Sequence, residues 1–438
     1  MLRRAAWAAT AFGVVALALI AAGPRVIHWL GAPRIQGGSA SDEFSPADRP
    51  ARVSVRERRR TPWPTFGFDV NRSKVGVGFA HRPPYRQVWK AAAHDSLEFP
   101  PSVGYGKVFL AQQKGLFFAL NARTGKAVWR KSFGRCSASS PTLARGVVYQ
   151  SWMGDVPCKQ ARKGADGFLV AWRQSDGKEL WRFTTRPIES SPLYHGGLVY
   201  VGSWDHRLYA LDAMTGHVRW RFEGDDQLNS TPAYYRGRIY VGSNSGSLYA
   251  IDAHTGALVW HARSDSRVGI REEFYAGPAV AYGRVYIGNV DGTFTAYGAE
   301  SGRVLWRRPL GSYIYASAAV WRDRVFIGTY DGEMFSLDAA SGGVLWKRDV
   351  PSAVHSAAVV IDGLVYYASC SSCGSQASRK VKNGHDGTYA VNAITGDEVW
   401  RFRAGKYASP VVADSERIYL VGATKVFGME PVERERRP

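Results

Sequence analysis

The sequence predicts an all-β fold, an eight-bladed β-propeller of four-stranded antiparallel blades, and three observations carry that expectation. "LYALDAMTGHVRW" (Leu208–Trp220) is written again almost unchanged as "LYAIDAHTGALVW" (Leu248–Trp260). A Trp closing such a stretch falls at Trp89, Trp129, Trp181, Trp220, Trp260, Trp306, Trp346 and Trp400. Most of these lie about forty positions apart, and such a period with strand-like content marks one small sheet per repeat. The composition agrees: 47 Gly, 15 Trp and 22 Tyr among 438 residues suit short strands joined by tight turns.

The N-terminus stands apart from the repeats. Arg3 and Arg4 precede an uncharged run from Ala5 to Ala22, long enough as a helix to cross about 27 Å of a bilayer core. Residues 1–30 are therefore expected to be a transmembrane signal anchor, with a cleaved signal peptide as the alternative reading. Both keep Arg3 and Arg4 in the cytoplasm and place the rest outside, at the cell membrane or secreted. Residues 31–60, with scattered Gly and Pro and the closing "RERRR" (Arg56–Arg60), read as a flexible linker. The propeller is expected over 61–430 and a charged tail over 431–438.

The repeat around Trp220 shows the parts of a blade. "SSPLYH" (Ser190–His195) is expected as the innermost strand, then "LVYVGSW" (Leu198–Trp204), "RLYALDA" (Arg207–Ala213) and the outer "HVRWRFE" (His217–Glu223). Between the last two, "DAMTG" supplies Asp212, Thr215 and Gly216, which favour tight turns. The innermost strand carries small residues in most repeats, as fits crowding at the axis. One blade cannot bury both sheet faces, so neighbours must stack, with the Trp expected between them. "YRQVWKAA" (Tyr85–Ala92) has no inner strands of its own, and "RIYLVGATKVFGME" (Arg417–Glu430) has no closing Trp. Joined, they complete one blade and hide a sheet edge. Seven blades is the fallback.

The "G-x-[LV]-[YF]-A-[LI]-[DN]-A-x-T-G-x-x-x-W" pattern, with the opening "WPTFGFDVNRS" (Trp63–Ser73), resembles the pyrroloquinoline-quinone-type repeat over roughly 61–430. That resemblance takes in BamB-like propellers and the propeller of quinoprotein alcohol dehydrogenases. It implies either a protein-binding scaffold or, as the alternative, a dehydrogenase using pyrroloquinoline quinone with calcium to oxidise an alcohol or sugar. In the dehydrogenases the quinone lies between a Trp floor and a disulfide of adjacent cysteines, above a calcium held by acidic and amide side chains. This sequence has no adjacent Cys pair and no single acidic cluster to assign.

Two repeats are too long, and both insertions fall between the second and third strands: Ser151–Gly167 and Ser369–Gly387. All four cysteines belong to these blades. Cys136 lies in the loop entering the first, Cys158 in its insertion, and Cys370 and Cys373 in the second. Loops before the first strand and after the second emerge on one face, so Cys136–Cys158 and Cys370–Cys373 are the expected disulfides; a Cys₄ zinc site is the alternative. Neither Cys-x-x-Cys nor the scattered His makes a haem, zinc-protease or catalytic-triad motif, so no catalytic or metal-binding residue is expected.

What remains is binding. Trp152 and Trp204 are aromatics the blades do not need, Glu272 and Glu273 sit in a long loop, and the insertions carry Lys159, Arg162, Lys163, Arg379, Lys380 and Lys382. With a net charge of +20, an anionic partner is expected, a protein or envelope polymer, clamped between the two basic loops. Nucleic acid is not expected outside the membrane, where no recognition motif supports it. The reading needs no cofactor.

Overall fold

The computed structural model describes residues 43–45, 60–93, 95–158, 160–264, 274–371, 386–403, 410–422 and 424–432. The expected membrane segment, most of the linker, residues 433–438 of the tail, and Glu272, Glu273, Lys159, Cys373, Arg379, Lys380 and Lys382 lie outside them. No helix among the described residues is long and apolar enough to cross a membrane.

Eight four-stranded antiparallel blades form the ring. Blade 1 spans Ser102–Ser132, blade 2 Thr142–Thr185, blade 3 Leu193–Glu223 and blade 4 Ala233–Arg263. Blades 5, 6 and 7 span Ala279–Pro309, Ala319–Asp349 and Val359–Phe402. Blade 8 is the shared one: Tyr85–Ala92 pairs with Lys425–Pro431, which pairs with Ile418–Gly422 and then Val412–Ala413. The ring closes by joining both ends of the domain in one sheet. We denote the strands of a blade A to D from the axis outward.

The expected strand A is longer than the real one. In blade 3 it covers only Leu193–His195, with Ser190, Ser191 and Pro192 before it. Proline cannot continue a ladder, and the Ser190 hydroxyl takes over, bonding both the amide and carbonyl of Gly202 on strand B at 2.9 Å. Ser356 does the same with Ala368 in blade 7, and Ser230 accepts from the Gly242 amide of blade 4 while donating to the Ala276 carbonyl. The small residues thus serve for their hydroxyls as well as their size.

The repeated Trp explains the repeat. Trp181 of blade 2 donates its indole N–H to the carbonyl of Ala213 in blade 3, at 3.1 Å. Tyr149 on strand B of blade 2 donates to the same oxygen at 3.0 Å. Trp220 and Tyr200 do this to Ala253, and Trp260 and Tyr240 to Ala299. The Trp ring also lies against the turn glycine of the following blade: a Cβ on Gly216 would be 2.6 Å from Trp181, and one on Gly256 2.7 Å from Trp220. A register shift just before each of these Trp residues is the bulge that re-aims the ring off its own sheet. In blades 2 to 5 a Tyr and a Trp thus share the turn carbonyl of the next blade, whereas blades 1 and 6 carry Phe109 and Phe326 at the Tyr position and keep the Trp bond alone, to Gln174 and Ala393.

A hub crosses the axis at the end carrying the A–B and C–D turns. Trp63 exchanges backbone bonds with Val103 of blade 1, and Pro64 accepts from Leu143 of blade 2. Val70, Asn71, Ser73 and Lys74 accept from Tyr234, Val280, Val320 and Val360 of blades 4 to 7. Val75–Gly76 adds a parallel strand to blade 7, and His81 bonds the Asp414 carbonyl of blade 8 at 2.5 Å. Fully buried Arg72 reaches Pro192 of blade 3 at 3.1 Å and Pro232 of blade 4 at 3.0 Å. The inner edge of every strand A would otherwise leave backbone groups unpaired. The "WPTFGFDVNRS" stretch is this hub.

Candidate functional site

The candidate site is the opposite face, where the D–A and B–C loops emerge. Both insertions arise there, from blades 2 and 7, separated by blades 8 and 1. Cys136 and Cys158 form a disulfide with Cα atoms 5.5 Å apart at a sequence separation of 22, which staples the blade 2 insertion to the loop entering that blade. Its base is braced further: Cys136 and Gly154, and Met153 and Cys136, are joined by backbone bonds of 2.9 and 2.8 Å. Arg135 contacts Asp155 at 3.1 Å and Asp166 at 2.8 Å, and the bond to Asp166 holds that carboxyl below the usual carboxylate range. Lys163 is exposed on the short turn of 3₁₀ helix Ala161–Lys163, where Arg162 also falls. Cys370 is disulfide-bonded too; its expected partner, Cys373, lies outside the described residues.

Trp152 is not a surface aromatic. It is fully buried, packed against Phe133, Phe168 and Trp172 with ring centroids 5.4 to 6.5 Å apart. Strand B of blade 2 runs on to residue 152, so alternation turns its side chain into the inter-blade core. Trp204 is half-buried at the axial mouth, where its indole N–H donates to Glu189 Oε2 at 3.1 Å.

Sequence reasoning missed the residues that line this mouth. One position, three before the last small residue or proline that precedes strand A, recurs in each blade. It is Glu189 in blade 3, Asn229 in blade 4, Tyr275 in blade 5, Tyr315 in blade 6 and His355 in blade 7. The Tyr275 hydroxyl donates to Glu189. Tyr275 and Tyr315 meet edge to face at 5.4 Å, and Tyr315 lies 4.7 Å from Tyr330. The Tyr330 hydroxyl bonds His355 Nδ1. Desolvation pushes the His355 imidazole down to about 4, so at neutral pH it is uncharged. A continuous arc of aromatic and polar side chains thus runs from blade 3 to blade 7. Aligning the repeats on strand A would have revealed it; motif searching could not, because the residue type changes from blade to blade.

Cys136–Cys158 is not a disulfide of adjacent residues, and Trp152 offers no floor. Among the described residues no three His, Cys, Asp or Glu side chains are grouped to hold a metal ion.

Comparison with known proteins agrees with the architecture. A family model described as "Outer membrane protein assembly factor BamB" matches residues 82–155, 161–266, 221–317 and 295–432. The curated BamB of Burkholderia pseudomallei is 30% identical over 172 residues, 39% of this chain and 39% of that protein; the chain spans about two fifths of the relative it matches. The crystal structure of BamB from Moraxella catarrhalis superposes with a TM-score of 0.64 at 17% identity, covering 79% of this chain and all of that one. Quinohemoprotein alcohol dehydrogenase from Comamonas testosteroni superposes at 0.67 with 14% identity, covering 88% of this chain and 84% of that one. At such identities the two structures speak for the fold alone. The family match spans the propeller from blade 8 round to blade 8 again, and the chain belongs to the family of the outer membrane protein assembly factor BamB.

Proposed function

We propose that the chain is a scaffold: an extracytoplasmic propeller, tethered through its N-terminal segment, that binds an envelope protein on its D–A/B–C loop face. The carrying observation is that one face collects what the repeat does not need. Both insertions arise there, together with the Cys136–Cys158 staple and the aromatic arc, while the other end of the axis is filled by the hub. Family membership supports a protein partner, since the relatives' name is that of an assembly factor for outer membrane proteins. The proposal keeps the clamp: Lys159, Arg162 and Lys163 on one side and Arg379, Lys380 and Lys382 on the other take an acidic surface of the partner. Trp204 and the tyrosines act as anchors. Glu272 and Glu273 belong to the loop entering blade 5 and are proposed to border the same mouth. The function as proposed requires no quinone or calcium.

The test is site-specific photocrosslinking of the full chain in intact envelopes. A crosslinker at Tyr313, 40% exposed on the loop face, should capture one discrete protein that a crosslinker at Val259, 42% exposed on an outer strand, does not. Changing the six basic residues to Ser should weaken that capture and flatten its salt dependence. Equal capture from both positions, or none, removes the reading. Dye reduction by the purified protein with pyrroloquinoline quinone and calcium would replace it with the dehydrogenase.

A further inference from the structure

The linker is not free along its whole length. Glu43, Phe44 and Ser45 lie on blade 5 at the A–B/C–D end, and blade 5 differs from its neighbours there. In blades 3, 4 and 6 the C–D turn begins with Asp212, Asp252 or Asp338, whose Oδ1 accepts a backbone N–H and a Thr or Ser hydroxyl from further round the turn, at 2.7 to 3.0 Å. Blade 5 has Gly298 at that position. Its turn hydroxyl, Ser301, donates instead to Glu43 Oε1 at 2.5 Å, with Arg303 at 3.4 Å from the same oxygen. Glu43 Oε2 sits within the space that a Cβ on residue 298 would take. A carboxylate from the far upstream linker thus occupies the place of the missing aspartate side chain. The replacement is partial, because Oε2 has no hydrogen-bond donor among the described residues.

A second observation is independent of the carboxylate. Phe44 lies 5.3 Å from the Tyr282 ring and 5.0 Å from the Arg284 guanidinium. Arg238 and Arg324, at the same place in blades 4 and 6, are half-buried, whereas Arg284 is fully buried. Tyr282 is buried where Arg236 and Arg322 of those blades are exposed. The Ser45 amide then donates to the Tyr282 carbonyl at 2.9 Å. Cation–π contact, a carboxylate–hydroxyl bond and one backbone bond together recognise an acidic residue followed by an aromatic.

We infer that blade 5 carries a docking site for an acidic-aromatic peptide segment, filled in cis by Glu43-Phe44-Ser45 of the linker. So short a segment binds weakly in trans, but a short tether raises its effective concentration to the millimolar range. The site therefore stays filled unless its chemistry changes.

The test uses the full chain and hydrogen exchange over residues 40–50. Gly298→Asp gives blade 5 the turn its neighbours have and puts a side chain where Glu43 Oε2 lies; Gly298 has an ordinary φ, so the backbone accepts Asp. The parent should protect the Ser45 amide, and Gly298→Asp and the Glu43→Ala/Phe44→Ala double variant should each speed its exchange about tenfold, leaving blade 5 strands unchanged. A peptide of residues 39–48, titrated to millimolar concentration, should saturate the double variant and not the parent. An unprotected Ser45 amide in the parent, or protection in the two variants that stays at the parent's level, overturns the inference. If Gly298→Asp fails to fold, the double variant and the peptide decide: a peptide that binds parent and double variant alike, or binds neither, also overturns it.

Discussion

At the scale of single residues, two buried groups carry the sharpest expectations. Arg72 is withdrawn from water by the hub, and burial lowers its guanidinium to about 9. Its donors serve two blades and Thr65 Oγ1, the last at 2.7 Å. Arg72→Ala would leave buried carbonyls unpaired and a cavity at the axis, so urea unfolding should show a loss of about 3 kcal/mol or more. Arg72→Lys should rescue little, because a single ammonium cannot fork between Pro192 and Pro232. His355 sets a pH dependence. Its folded value near 4 lies below the ordinary 6.5, so between those values the unfolded chain binds a proton that the folded one does not. The contribution is whole above about 6.5 and is lost as pH falls towards 4. After discounting for its partly exposed ring, the parent should lose about 1–2 kcal/mol more than His355→Gln between pH 6.5 and 4.5. Identical slopes for the two proteins would refute it.

At the scale of the blade, the interface from blade 2 to blade 6 is a turn bonded by a Trp and a Tyr. Gly256 has φ of +78° and its missing Cβ leaves room for the Trp220 ring. Gly256→Ala therefore combines left-handed strain with overpacking, and should cost about 2–4 kcal/mol in denaturant unfolding. Gly237, also at positive φ (+81°) but with nothing near its Cβ position, is the control: Ala there should cost only the backbone part. Equal losses at the two sites would mean that the turn glycine is kept for conformation alone, not for the Trp.

At the scale of the whole molecule, closure depends on blade 8 and the hub together. Deleting Arg417–Pro438 removes two of the four strands of blade 8 and strips Tyr85–Ala92 of its sheet partner. Calorimetry should then show a broadened, lowered transition in place of one cooperative melt; an unchanged melt would deny the shared blade. The dock on blade 5 and the loop face lie at opposite ends of the axis. Under the proposed tethering, a chain running through Glu43–Ser45 would leave the ring on the side away from the insertions and turn the proposed binding face outward.

The ring was legible before any coordinates: the period, the eight Trp, the shared closing blade and the Cys136–Cys158 pairing could all be read from the chain. These are local or periodic features, repeated because each blade meets the same neighbour. The rest emerged only on folding. Trp152 read as a spare aromatic because spacing cannot show that its strand runs further, into the core. The hub looked like a motif to recognise, not a segment to place, since its bonds go to blades spread over most of the propeller sequence. Glu189, Tyr275, Tyr315 and His355 share a position but no single residue type, and the contacts of Glu43 with Gly298 join segments with no common pattern. Periodicity records what every blade needs; what one blade or the axis alone needs is fixed by contacts between distant residues, and those exist only once the ring is closed.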